Sequence, residues 1–97
     1  MAEGQALIER ALKLSPDDPF ILDSMGWALF RQGKYAEAEQ YLRRAMTQRP
    51  DAEIAAHLGE VLWAKGEHQG AQEIWQSQLK INPDNAVLLE TVRRLAR

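Results

Sequence analysis

No cysteine occurs in this 97-residue chain. Disulfides, cysteine-ligated zinc, iron–sulfur clusters and thiol catalysis are thereby excluded, and the redox compartment stays open. No apolar run approaches the roughly 20 residues that a membrane-spanning helix needs. Charge of one sign is not in excess either: 12 Lys and Arg stand against 14 Asp and Glu, a net charge of −2 with a pI near 5.6. Nucleic-acid binding calls for a basic footprint, and anionic membranes attract clustered Lys and Arg, so neither partner is expected. Met1 to Gly4 is short and polar, with no apolar core of a secretory signal, and none is expected there. Catalytic motifs are also missing. Ser15, Ser24 and Ser77 have no base at motif spacing, and no Gly-rich phosphate loop occurs. No enzyme activity, catalytic residue or cofactor is expected.

Proline is scarce, and its placement is periodic. Pro16 and Pro50 stand 34 residues apart, and Pro83 follows 33 later. The segments between them match. Met25-Gly26 returns as Leu58-Gly59, Gln32-Gly33 as Lys65-Gly66, Ala38 as Ala71, and Leu42 as Trp75. A fixed period of this length marks a repeat architecture. Such a stack offers an open concave face rather than a closed pocket, so holding a partner is its expected work.

Apolar residues recur at helical spacing within each segment. Leu22, Met25, Leu29 and Phe30 form one stripe; Ala38, Leu42, Ala45 and Met46 form the next. Pro with Asp or Asn marks the helix starts, and Gly33 and Gly66 mark two ends. The pattern predicts six helices near 3–14, 19–32, 35–48, 52–65, 68–81 and 85–96, with no strand. Gly26 and Gly59 are read as notches where helices cross closely, with Ala38 and Ala71 facing them.

These residues resemble the tetratricopeptide repeat (TPR) family. Its pattern W-x2-L-G-x2-Y…A-x3-F…P appears as Leu22-x2-Met25-Gly26-x2-Leu29…Ala38-x3-Leu42…Pro50. It returns as Ala55-x2-Leu58-Gly59-x2-Leu62…Ala71-x3-Trp75…Pro83. The resemblance implies an all-α fold, a right-handed stack of helix-turn-helix repeats forming a TPR solenoid. It divides the single domain into a half repeat at 3–18, full repeats at 19–52 and 53–85, and a capping or half-repeat helix at 86–97. One residue is missing between Pro50 and Leu58, which predicts a shorter turn into the second repeat. The wording around Asp23-Ser24-Met25-Gly26-Trp27 is similar to the C-terminal repeats of Gram-negative TPR envelope lipoproteins and adaptors. That implies a periplasmic or envelope-anchored parent protein, with the cytoplasm as the alternative.

In the resembled family the ligand-facing positions lie on the first helix of each pair. Carried over, the first full repeat presents Phe20, Asp23, Trp27, Phe30 and Arg31. The second presents Glu53, Ala56, Glu60, Trp63 and Ala64, with His57 at the groove edge. The partial third presents Val87, Glu90 and Arg94. Family members that grip a C-terminal carboxylate use Lys and Asn on this face. Asp23, Trp27 and Glu60 hold those places here, so an acidic tail is repelled. The implied function is a non-enzymatic interaction module that binds a peptide segment or partner helix in its concave groove, as part of a larger adaptor or assembly protein. The alternative is a structural self-association module with no groove ligand.

Each pointed feature has a plainer reading. Trp27, Phe30 and Trp63 suit contact hot spots, yet helix-spaced aromatics also pack between helices. Glu53, His57 and Glu60 share one helix face and offer a metal two carboxylates and an imidazole. A solvated groove face explains them equally, and no metal is expected. His68 matches Tyr35 in register, which predicts a packing role. Arg93, Arg94 and Arg97 suit the negative end of a last helix. The first and last helices carry apolar surface, which predicts either a segment cut from a longer array, the reading that Met1-Ala2 before a half repeat favours, or homo-oligomerisation through these terminal helices.

Overall fold

Aspartate, asparagine and glycine decide where the helices start and stop. In the computed structural model, which describes residues 2–96 with side chains from Ala6 onward, six helices follow one another. They are α1 (Ala2–Leu14), α2 (Pro19–Arg31), α3 (Tyr35–Gln48), α4 (Ala52–Ala64), α5 (His68–Ile81) and α6 (Ala86–Leu95). Arg97, placed with the last-helix cations above, lies outside the described residues, as does Met1. No strand occurs among the described residues. The fold is an all-α, right-handed helix-turn-helix stack.

Helices α2, α4 and α6 open on side-chain caps. The Asp18 carboxylate accepts from the Phe20 and Ile21 amides at 2.9 and 3.2 Å, with Pro19 in the first turn. Asp51 accepts from Glu53 and Ile54 at 3.0 and 3.2 Å, and Asn85 from Leu88 at 2.9 Å. These bonds satisfy amides that have no partner within the helix. The turns to α3 and α5 use glycine instead. Gly33 and Gly66 have φ of 80° and 89°, where a side chain is strained. Their amides bond back to Phe30 and Trp63, and the next amides reach Leu29 and Leu62, closing each helix end twice. Gln32, Lys65, Asn85 and Ala96 are caps rather than helix interior, so α2, α4 and α6 run slightly shorter than the pattern predicts.

Packing follows the pairs. Helix α2 lies on α3 and α4 on α5, while α4 also touches α2, α3 and α6. Helices α3 and α5 do not approach each other's backbone. The stack therefore bends, with α2, α4 and α6 on the inside. Both predicted notches are present. An added Cβ on Gly26 would come within 2.7 Å of Leu42 Cγ, and one on Gly59 would overlap the Trp75 indole. Leu22, Leu42, Ile54, Val61, Leu62 and Trp75 are buried around these crossings. Each such side chain contributes about 1.5–3 kcal/mol by leaving water.

Candidate functional site

The inner helices carry the side chains of interest at a spacing that lets neighbours meet. The His57 imidazole on α4 meets the Asp23 carboxylate on α2, with Nδ1 2.8 Å from Oδ1. A carboxylate only accepts, so the pair puts the ring proton on Nδ1. One helix further, Arg94 of α6 donates twice to Glu60 of α4, at 2.7 and 3.3 Å. The Glu60 hydrogen bond raises the Arg94 guanidinium above its ordinary value. Both pairs join residues 34 apart, so one sequence spacing ties successive inner helices. Asp23 thus faces the His57 ring, and Glu60 the Arg94 guanidinium, of the same chain rather than open solvent.

The aromatic residues form two clusters. The Trp27 indole stacks on Phe30 at 4.8 Å and on His57 at 4.3 Å between ring centres, and Phe30 tilts against Tyr35 at 5.3 Å. Trp63 stacks on His68 at 3.8 Å and on Trp75 at 5.7 Å. Phe30 with Tyr35, and Trp63 with His68, are the same pair in successive repeats, one ring on either side of the glycine turn. They clasp that turn. His68 therefore packs, as its register with Tyr35 predicts. Trp27 is half-buried and ties this clasp to the next inner helix.

The remaining predicted positions divide. Phe20 is 51% exposed, with the Arg49 guanidinium 5.5 Å above its ring. Arg31, Glu53, Ala64, Val87 and Glu90 are exposed. Ala56 corrects the sequence reading: it is 0% exposed and presents no surface. Helix α4 is wedged among four others, and Trp75 Nε1 points at the Ala56 carbonyl from 3.5 Å. Among the described residues no three metal-ligating side chains converge, Glu53, His57 and Glu60 included.

On the outer side, Glu39 of α3 is held by Lys65 at the end of α4 and by Arg43 of its own helix, at 2.5 and 2.7 Å. Burial alone would raise its carboxyl, but these two hydrogen bonds and charges outweigh it and hold it below the ordinary value. The Glu39 and Glu67 hydrogen bonds raise Lys65. This cluster and the part played by Trp75 escaped the sequence reading. An acid and a base 26 residues apart, Glu39 and Lys65, give no local signal.

Comparison with known proteins settles the class. Two family models, each described as tetratricopeptide repeat, match residues 24–86 and 7–40. The chain belongs to the tetratricopeptide repeat family. It is similar to the TPR repeat-containing protein PA4667 of Pseudomonas aeruginosa, 64% identical over 58 residues, which are 60% of this chain and 10% of that protein. It is similar to human tetratricopeptide repeat protein 7A, 32% identical over 91% of this chain and 10% of the relative. It also matches the mouse protein O-mannosyl-transferase TMTC1, 31% identical over 97% of this chain and 11% of that protein. The chain thus spans about a tenth of the length of these relatives. As a TPR stack it is a protein–protein interaction module, and among the described residues no helix is long and apolar enough to cross a membrane.

Proposed function

We propose that this TPR stack binds a peptide segment or partner helix along the inner face of α2, α4 and α6, without catalysis, inside a larger adaptor or assembly protein. Residues 19–52 and 53–85 are its full repeats, with a half repeat at 3–18 and a capping or half-repeat helix at 86–97. The observation that carries the reading is the half-buried Trp27, stacked on His57 and Phe30. A large ring already fixed by its neighbours loses little freedom on binding, which suits a contact hot spot. Phe20 and Arg31 on α2, Glu53 on α4 and Glu90 on α6 are exposed and would supply the polar and apolar rim of this face. The parent protein we place in the Gram-negative envelope; the 64% identity to a Pseudomonas protein supports a bacterial origin.

The test is selection of peptides from a random display library against this chain, followed by titration of the selected peptides. Trp27→Ala should weaken them by about 2 kcal/mol or more. Peptides that bind the variant equally well would remove Trp27 as the anchor.

A second reading is favoured by the exposed apolar side chains Leu7 and Leu14 on α1 and Val87 and Leu89 on α6. Surfaces of this kind serve self-association through the terminal helices.

A further inference from the structure

We propose that His57 sets the specificity of the inner face: its Nε2 accepts an N–H from an arginine or lysine side chain of the partner, and protonation of His57 releases that side chain. The proposal rests on the inner-face reading and names the chemistry that face selects. Two contacts fix the imidazole in the free chain. Asp23 of α2 holds Nδ1 at 2.8 Å, and the Trp27 indole stacks on the ring at 4.3 Å between centres, with 27° between the planes. A carboxylate only accepts, so the proton sits on Nδ1 and Nε2 keeps its lone pair. Among the described residues nothing donates to Nε2, and no buried side-chain nitrogen or oxygen lacks a partner. Nε2 is therefore not buried; the side chain is 25% exposed. The neutral ring is an acceptor of set direction, open to solvent beside Trp27.

Charge selects the donor that fits. On the inner face Asp23, Glu53, Glu60 and Glu90 stand against Arg31 and Arg94. Glu60 is taken by Arg94, whereas Asp23 keeps its charge behind a neutral ring. A partner's carboxylate would meet a lone pair and an acidic surround, and is repelled. A hydroxyl would satisfy Nε2 but gain nothing from the charge. A guanidinium or ammonium group donates to Nε2, meets the negative surround favourably, and lays its aliphatic stem on the half-buried indole.

The same atom reverses its role on protonation. Imidazole is the side chain that ordinarily changes charge between pH 5 and 8. With a second proton the ring has two donors and no lone pair, and its positive charge opposes a basic side chain. Asp23 then holds a cation, so the ring keeps its place. Of the charged groups on elements packed against α4, Asp23 of α2 is in ion-pair reach of His57. Arg94 of α6 is held by Glu60, Glu39 of α3 by Lys65 and Arg43, and His68 of α5 stacks on Trp63. Glu53 and Glu60 stand one turn to either side on α4 itself, and Arg31 and Glu90 lie exposed on α2 and α6.

Two measurements on the 97-residue chain test this. The first needs no partner. Long-range nitrogen–proton NMR of the free protein at about pH 7.5 should show His57 protonated on Nδ1 and bare on Nε2; a proton on Nε2 instead would overturn the proposal. The second uses peptides selected from a random display library at about pH 7.5, each titrated as selected and with its arginine or lysine replaced by norleucine. The peptides should share a basic residue and lose at least about fivefold in affinity on its replacement. Unreplaced, they should lose at least about fivefold between about pH 7.5 and about pH 5. His57→Gln keeps an acceptor within the reach of Nε2 but takes no proton, so it should bind alike at both pH values. His57→Ala should bind weakly at both. Circular dichroism at both pH values confirms that each variant keeps its helix content. Peptides that bind with no basic residue, or whose pH dependence survives in His57→Gln, would overturn the proposal; the inner-face reading would stand if Trp27→Ala still weakens them. A library that yields no binder would refute the inner-face reading, and this proposal with it.

Discussion

One chemical change, Gly→Ala, should have opposite effects at two positions of this chain. At Gly59 in α4 the new Cβ would overlap the Trp75 indole. Trp75 is 1% exposed and cannot swing away without opening the core. Overpacking of this kind costs about 1–3 kcal/mol. Loss of the long contact from Trp75 Nε1 to the Ala56 carbonyl adds up to about 1 kcal/mol. Against this, alanine gains about 0.8–1.0 kcal/mol of helix propensity over glycine. The balance is a loss of about 2 kcal/mol, which in a domain this size lowers the melting temperature by roughly 8–16 °C. At Gly70 in α5 the new Cβ meets only Leu62 Cδ1 at 3.8 Å, an ordinary contact. There the propensity term stands alone, and the variant should gain about 0.5–1 kcal/mol. Urea and thermal unfolding of both variants read the two signs. Trp75→Leu combined with Gly59→Ala should cost less than the sum of the single changes, because the smaller side chain removes the overlap. A Gly59→Ala protein as stable as wild type would show that α4 and α5 do not cross this closely.

Further consequences concern caps, charges and turns. Asp51→Ala removes acceptors for two amides and should cost about 1 kcal/mol by urea unfolding, whereas Lys34→Ala, at a start with no side-chain cap, should cost almost nothing. Glu39 has a carboxyl lowered by folding, so it stabilises above the ordinary carboxylate range and loses that contribution as pH falls through its folded value. Glu39→Gln should therefore unfold more easily than wild type at neutral pH, and the difference should vanish as pH falls through the folded value of that carboxyl. Gly66→Ala, at a φ of 89°, should destabilise by about 1 kcal/mol although nothing lies within 4 Å of its Cβ, a purely backbone effect visible in thermal unfolding.

Much of this architecture is legible in the residues because its determinants are local. A capping Asp, a left-handed Gly and an apolar stripe each act within a turn or two, and the period brings them back in register. The notches at Gly26 and Gly59 are legible for the same reason: their partners Leu42 and Trp75 repeat with them. The site is less legible. Asp23 with His57 and Glu60 with Arg94 depend on how one inner helix lies against the next. Their shared spacing of 34 is visible only once stacked helices are compared pairwise. Ala56 looked like an open position because its family place faces the groove. Yet α4 has neighbours on most sides, and the run Ala55-Ala56 was the available sign that it lies deep. For Phe30 and Trp63 the sequence leaves contact hot spot and helix packing both open until the rings across each glycine turn, Tyr35 and His68, are placed beside them.

The central claim is that α2, α4 and α6 form the binding face. Backbone amide NMR shifts, mapped while a display-selected peptide is titrated into the labelled chain, test it most directly. The account predicts shifts concentrated around Asp23, Trp27, His57, Glu60 and Glu90, with α3 and the outer side of α5 silent. Shifts confined to α3 and α5, with the Trp27 region unmoved, would contradict it.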